Sequence, residues 1–153
     1  MIQQLLKRNP LFRELDDDEL TQILMVGRVR RFPKGTTILT EGEPGGSLYL
    51  LTDGEVRVTK AVPGLGAEAL RILSPGEIFG EVEFFDGSWA AAGVVAHRDC
   101  EVFLLPHDEM EALLRGRPLL AAKLFWAFGR TLASRLREAN QRLSALLAMS
   151  HGH

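Results

Sequence analysis

The chain holds one cysteine, Cys100, in 153 residues. That excludes an internal disulfide framework and a cysteine-built zinc site. No apolar run approaches the ~18 residues that would cross a bilayer. The opening Met-Ile-Gln-Gln-Leu-Leu-Lys-Arg lacks the apolar core of a secretory leader, so a cytoplasmic protein is expected. The histidines are His97, His107, His151 and His153, and only the terminal two form a His-x-His pair. A metal-dependent oxygenase or isomerase built on such a pair within the body of the fold is therefore not expected. No Walker loop and no Gly-x-Ser-x-Gly elbow occurs, and nothing local activates Cys100, which reads as a plain buried thiol. No residue set for turnover is found, and an enzyme is not expected.

What is present is the composition of a folded domain: 46% hydrophobic and 25% charged residues, at a length suited to a single unit spanning 1–153. The net charge of −2 conceals a split. From Arg115 onward there are seven basic residues and one acid, Glu138; the preceding stretch has eleven bases and nineteen acids. Such a division marks either an anion-binding surface or a solvated helix face.

Three zones follow one another. Residues 1–27 read as helices, with Asp16 as cap and Glu19 three residues later in the pattern of a capping box. Residues 28–105 carry short strand-like runs: Thr37–Leu39, Leu48–Leu51, Val56–Val58, Leu70–Leu73, Val94–Ala96 and Val102–Leu105. Gly/Pro punctuation separates them, which predicts a closed or double-sheet all-β unit. Asp53-Gly54 predicts a hairpin. Residues 107–148 read as a short helix and then a long one, with Pro118 in the long helix's first turn and only Gly129 to interrupt its run from Leu119 to Ala148, about 45 Å. Phe125, Phe128, Leu132, Leu136, Ala139, Leu143 and Leu146 form an apolar stripe with coiled-coil-like spacing along it, and a homodimer through this helix is expected. Phe125, Trp126 and one of Phe84 and Phe85 are expected to pack.

The run Phe32-Pro33-Lys34-Gly35 through Glu41-Gly42-Glu43-Pro44-Gly45-Gly46-Ser47-Leu48-Tyr49, with Asp53-Gly54-Glu55-Val56 after it, resembles the opening of a cyclic nucleotide-binding domain. Leu73-Ser74-Pro75-Gly76-Glu77-Ile78-Phe79-Gly80-Glu81 resembles the entry to that family's phosphate-binding cassette. The resemblance spans nearly the whole chain. It implies a mainly β fold with flanking helices: an antiparallel eight-stranded β-roll, jelly-roll-like, with N-terminal helices and a long C-terminal helix. It also implies that backbone N–H groups after Gly80 meet a phosphate and that the Glu81 carboxylate accepts from a ribose hydroxyl. An arginine about nine or ten residues later pairs with the phosphate, followed by a small residue.

Here the chain departs from the pattern. The arginine position falls on Ala90 and the small position on Ala91, and no Lys or Arg lies between Arg71 and Arg98. The ligand positions that the resemblance implies are Gly80, Glu81, Val82, Ser88, Ala90 and Ala91, with Arg135 of the long helix as a substitute cation. Three readings stand. Cyclic AMP or cyclic GMP binds weakly, with Ser88, backbone amides or a long-helix cation in place of the arginine. A less charged ligand binds instead, stacked on Trp89. Or the pocket is unused and the fold is a protein-interaction and dimerisation module. The expected reading is a non-catalytic regulatory unit that signals through the C-terminal helix, hinged near Leu105-Pro106 and Gly116; the alternative is a purely structural interaction module. Members of the catabolite activator type carry a helix-turn-helix domain beyond the long helix. The chain ends at His153, so specific DNA binding is not expected.

Overall fold

The structure, a computed structural model, describes residues 1–152. His153, one half of the terminal His-x-His pair, lies outside the described residues. The N-terminal helices are α1 (Ile2–Arg8) and α2 (Asp17–Val26). The capping box forms in full: the Glu19 N–H donates to Asp16 Oδ1 at 2.8 Å and the Asp16 N–H to Glu19 Oε1 at 2.9 Å. Two of the orphan donors at that helix end are thereby satisfied.

Eight strands follow: β1 (Arg28–Phe32), β2 (Thr37–Leu39), β3 (Leu48–Asp53), β4 (Val56–Val62), β5 (Gly66–Leu73), β6 (Ile78–Phe79), β7 (Gly93–Ala96) and β8 (Cys100–Leu105). They make two four-stranded antiparallel sheets, ordered β1-β8-β3-β6 and β2-β7-β4-β5. The fold is the antiparallel β-roll with flanking helices expected from the sequence. The expected hairpin at Asp53-Gly54 does not form. β3 pairs with β6 and β8 while β4 pairs with β5 and β7, so this turn carries the chain from one sheet to the other. A two-residue hairpin turn of that type needs positive φ at both central positions, and only Gly54 has it, at 81°. Glycine is still required there, because a Cβ would strike the Asp99 carbonyl and Cys100. The hairpin lies one connection later, between β4 and β5, in register from Val56↔Leu73 to Val62↔Gly66.

Adjacent residues of β3 and β8 serve two cores, as the period of two requires. Leu48, Leu50, Phe103 and Leu105 face the helices, packing with Leu6, Phe12, Leu20, Met110, Leu120 and Leu124. Leu51, Cys100 and Val102 face the interior of the roll, with Val56, Leu73, Phe79 and Val94. Burial on both faces explains why Leu48-Tyr49-Leu50-Leu51 shows no polar alternation. Burial also pushes the Cys100 thiol above its ordinary range, reinforced by the charges of Asp99 and Asp53.

Between β6 and β7 lies α3 (Glu81–Asp86); after β8 come α4 (His107–Gly116) and α5 (Pro118–His151). α5 runs 34 residues with Pro118 in its first turn. Its first three turns bury Leu120, Leu124, Ala127 and Phe128, and every residue from Leu132 to Gly152 is exposed. Phe125 meets Phe85 edge-on at 5.3 Å, and Phe85 stacks on Phe128 at 4.1 Å. Trp126, expected to pack, is instead 70% exposed. It projects from the side of α5 away from the buried residues Leu120, Leu124 and Phe128, because helical periodicity admits only one face to the core.

The charge split resolves within the chain. Arg117, Lys123 and Arg130 of the basic segment reach Asp18, Glu19 and Glu14 at 3.4, 2.7 and 2.7 Å. Nearly half of the C-terminal cations are thus engaged with the N-terminal acids rather than presented as a free anion-binding surface.

Candidate ligand cleft

β6 delivers the chain to Gly80, which sits in the left-handed region at φ 76°. A Cβ there would lie 2.8 Å from the Ser47 carbonyl, so glycine alone permits β6 and β3 to meet before the chain turns into α3. The turn aims Glu81 at the long helix. Arg135 Nη1 donates to Glu81 Oε1 at 2.7 Å, and the carboxylate is largely buried. The two residues singled out in the sequence as ribose carboxylate and substitute cation, 54 positions apart, therefore meet.

This bridge is a shared wall between two clefts. The inner cleft, about 260 Å³, is lined by Val58, Arg71, Leu73, Phe79, Gly80 through Glu83, Ala91, Ala92, Val94 and Arg135. The outer, about 370 Å³, lies between Leu5, Asn9, Pro10, Gly76, Phe128 and Thr131, and shares Arg71, Ile78, Glu81 and Arg135 with the first. The inner volume falls just below the roughly 300–1,000 Å³ usual for small-molecule sites.

Of the residues singled out in the sequence, Gly80, Glu81, Val82, Ala91 and Arg135 line the inner cleft. Two others lie elsewhere. Ser88 is exposed beyond the end of α3; its hydroxyl first, and then its N–H, which donates to Asp86 at 2.8 Å, hold the Asp86 carboxyl below its usual range. Ala90 is 4% exposed and borders a neighbouring cleft with Leu39, Thr40, Glu43 and Tyr49. Its N–H donates to the Glu43 carbonyl at 2.9 Å and its carbonyl accepts from Gly42, so the backbone is tied to the β2–β3 loop. Trp89, a candidate stacker, is 64% exposed and bridges Pro44. It lines neither cleft.

Sequence reasoning passed over three residues, Arg71, Lys60 and Glu41. Arg71 lies in the inner cleft and is held by Glu77 at 2.9 Å. Period-two alternation puts it on the same strand face as buried Leu73, a signal that was present in the β5 run. Lys60 Nζ donates to the Ala91 carbonyl at 2.6 Å and pairs with Glu41 at 2.8 Å. These contacts span 31 and 19 residues, which no local pattern encodes. The Lys60 hydrogen bond, then the Ala61 N–H, hold the Glu41 carboxyl below its usual range. Glu83 is buried, and its Oε1 accepts from the Ala91 N–H at 2.9 Å. No cluster with metal-site geometry occurs in the cleft; among the described residues only His107, Asp108 and Glu111, on α4, stand close enough together.

Fold and cleft together define a β-roll domain whose inner cleft is bordered by a side chain of its long C-terminal helix. The chain belongs to the cyclic nucleotide-binding domain family, whose sequence model matches residues 29–117. It is 36% identical over 141 residues to the cyclic AMP receptor protein of Thermus thermophilus, covering 92% of this chain and 63% of that protein. Among solved structures, a cyclic nucleotide-binding domain from Methylobacillus flagellatus matches with a TM-score of 0.80 at 28% identity, over 94% of this chain and 81% of that one. The N-terminal domain of a transcriptional regulator from Streptomyces coelicolor matches with a TM-score of 0.77 at 31% identity, over 91% of this chain and 94% of that one. The chain spans less than two thirds of the length of the first curated relatives it matches. Among the described residues, no helix is long and apolar enough to cross a membrane.

Proposed function

We propose that the chain is a non-catalytic regulatory module of the cytoplasm, acting as one unit over residues 1–153, that binds cyclic AMP or cyclic GMP weakly and signals through α5. The Glu81–Arg135 bridge carries this reading. It ties the wall of the ligand cleft to a helix whose residues from Leu132 to Gly152 are all exposed. A ribose hydroxyl that donates to Glu81 competes with Arg135 for the same carboxylate, and so loosens α5 from the roll; Gly80, Val82 and Ala91 shape the cleft around the sugar and phosphate. Phosphate attraction falls to Arg71 and Arg135, both already committed to carboxylates. A charge-assisted contact is worth about 1.5–3 kcal/mol, so this arrangement weakens binding on the order of 10- to 100-fold against a free arginine. Calorimetric titration with both nucleotides tests it. A dissociation constant in the micromolar range or weaker is expected, weakened further in Glu81→Ala.

A second reading, a dimerisation or protein-interaction module without a nucleotide, is favoured by the pairing of each of Lys60, Arg71 and Arg135. No binding of either nucleotide at millimolar concentration selects it. In both readings α5 joins a second copy through its exposed stripe.

A further inference from the structure

Glu83 is a carboxylate in an expensive place. It is 7% exposed, lines the inner cleft, and forms no ion pair among the described residues. A buried charge without a cation is normally removed or neutralised unless hydrogen bonds hold it. One bond does: the Ala91 N–H donates to Oε1 at 2.9 Å. The Ala91 carbonyl meanwhile takes Lys60 at 2.6 Å, so the residue is held from both sides. Gly45, in the loop above, has no side chain, and a Cβ on it would come within 3.1 Å of Glu83 Cβ. The carboxylate is thus seated rather than loosely placed.

Its seat has the chemistry of an anion site. Arg71, Arg135 and the donor at Ala91 bound one cleft, and an inward N–H with guanidinium groups nearby is what a phosphodiester requires. Glu77 and Glu81 are taken up by Arg71 and Arg135, which leaves the Glu83 charge as the surplus. We infer that Glu83 is an internal anion: its carboxylate occupies the phosphate position of the cleft on the Ala91 N–H, and an anionic ligand must displace it. Glu83 therefore sets specificity against charged ligands, while a neutral nucleoside meets no such competitor. The inference rests on the nucleotide reading of the cleft.

Cyclic AMP and adenosine are the probes, titrated into the wild-type chain, Glu83→Gln and Glu83→Ala. Gln keeps the volume and an acceptor and removes the charge; Ala also frees the N–H. Cyclic AMP should bind about tenfold or more tightly to Glu83→Ala than to wild type, with Glu83→Gln between them, while adenosine stays within about threefold throughout. Hydrogen exchange at the Ala91 amide should quicken in Glu83→Ala and be restored by cyclic AMP. Equal cyclic AMP affinity in all three chains overturns the inference and leaves the nucleotide reading standing. A gain shared equally by adenosine overturns it too, since that reports a larger cavity and not a removed charge. No binding of either probe to any folded chain overturns both. Should Glu83→Ala fail to fold, Glu83→Gln against wild type decides alone.

Discussion

At the scale of single residues, carboxylates dominate the cleft and its rim, and each has a different partner. Glu41 shows what such pairing does to stability. It releases its proton more readily in the folded chain than in the unfolded one, because Lys60 and the Ala61 N–H both favour the charged form. Its contribution is therefore present above about pH 4.3 and is lost as the pH falls through the lowered folded value. Thermal unfolding of wild type and Glu41→Gln should show a gap at pH 7 that narrows as the pH falls below about 4.3. A gap independent of pH would mean the carboxylate charge is not what Lys60 reads. Lys123 shifts the other way, held charged by its hydrogen bond to Glu19, so its contribution persists at neutral pH and fades only above about pH 10.4.

Among the elements, α2 and α3 contrast. α2 is specified locally: the cap Asp16 and the three first-turn acids Asp17, Asp18 and Glu19 act within four residues of one another. Asp16→Ala removes the acceptor for the Glu19 N–H and should cost about 1 kcal/mol in urea unfolding with an unchanged denaturant slope. α3 has no side-chain cap at either end and lies between two glycines of positive φ, Gly80 and Gly87. It holds its place through Phe84 in the helix-facing core, through Phe85 stacked on Phe128, and through Glu81 on Arg135. An element held by tertiary contacts to α5 is well suited to move with it. The strand runs were legible in the sequence wherever burial on one or both faces left a β pattern, as in β3 and β8. β1 and β6 were not: β1 is Arg28-Val29-Arg30-Arg31-Phe32, mostly exposed, and β6 is two residues long. Neither contains enough apolar signal to announce itself.

For the whole molecule, α5 is the unfinished surface. Leu136, Leu143 and Leu146 are 62%, 56% and 63% exposed, on a segment about 30 Å long with no cover from its own chain. Most of a helix's stability in a protein comes from packing an amphipathic face, which this segment lacks within its own chain. Light scattering should find a dimer at micromolar concentration, and Leu132→Asp with Leu136→Asp should yield a monomer whose roll unfolds at nearly the same temperature. A wild-type monomer would remove the dimer from the proposal. The other large feature is the clamp between chain ends, where Lys123 meets buried Glu19 and Arg130 meets Glu14. It is also why the charge division seen in the sequence does not translate into a free basic surface.

The amino-acid sequence by itself determined the class of fold, the glycine positions, the α2 cap and the long helix, because each is set by residues close together in the chain. The family resemblance, and not spacing, pointed to Ala90, Glu81 and Arg135. Only the tertiary structure decided that Glu81 and Arg135 meet, that Asp53-Gly54 joins two sheets instead of closing a hairpin, that Ser88 and Ala90 line other surfaces, and that Glu83 sits on the Ala91 N–H. The physical reason is the same in every case. Local hydrogen bonds and periodicity are fixed by spacing along the chain, whereas these contacts depend on which strands find each other and on which charges share a cleft after packing has removed the water between them.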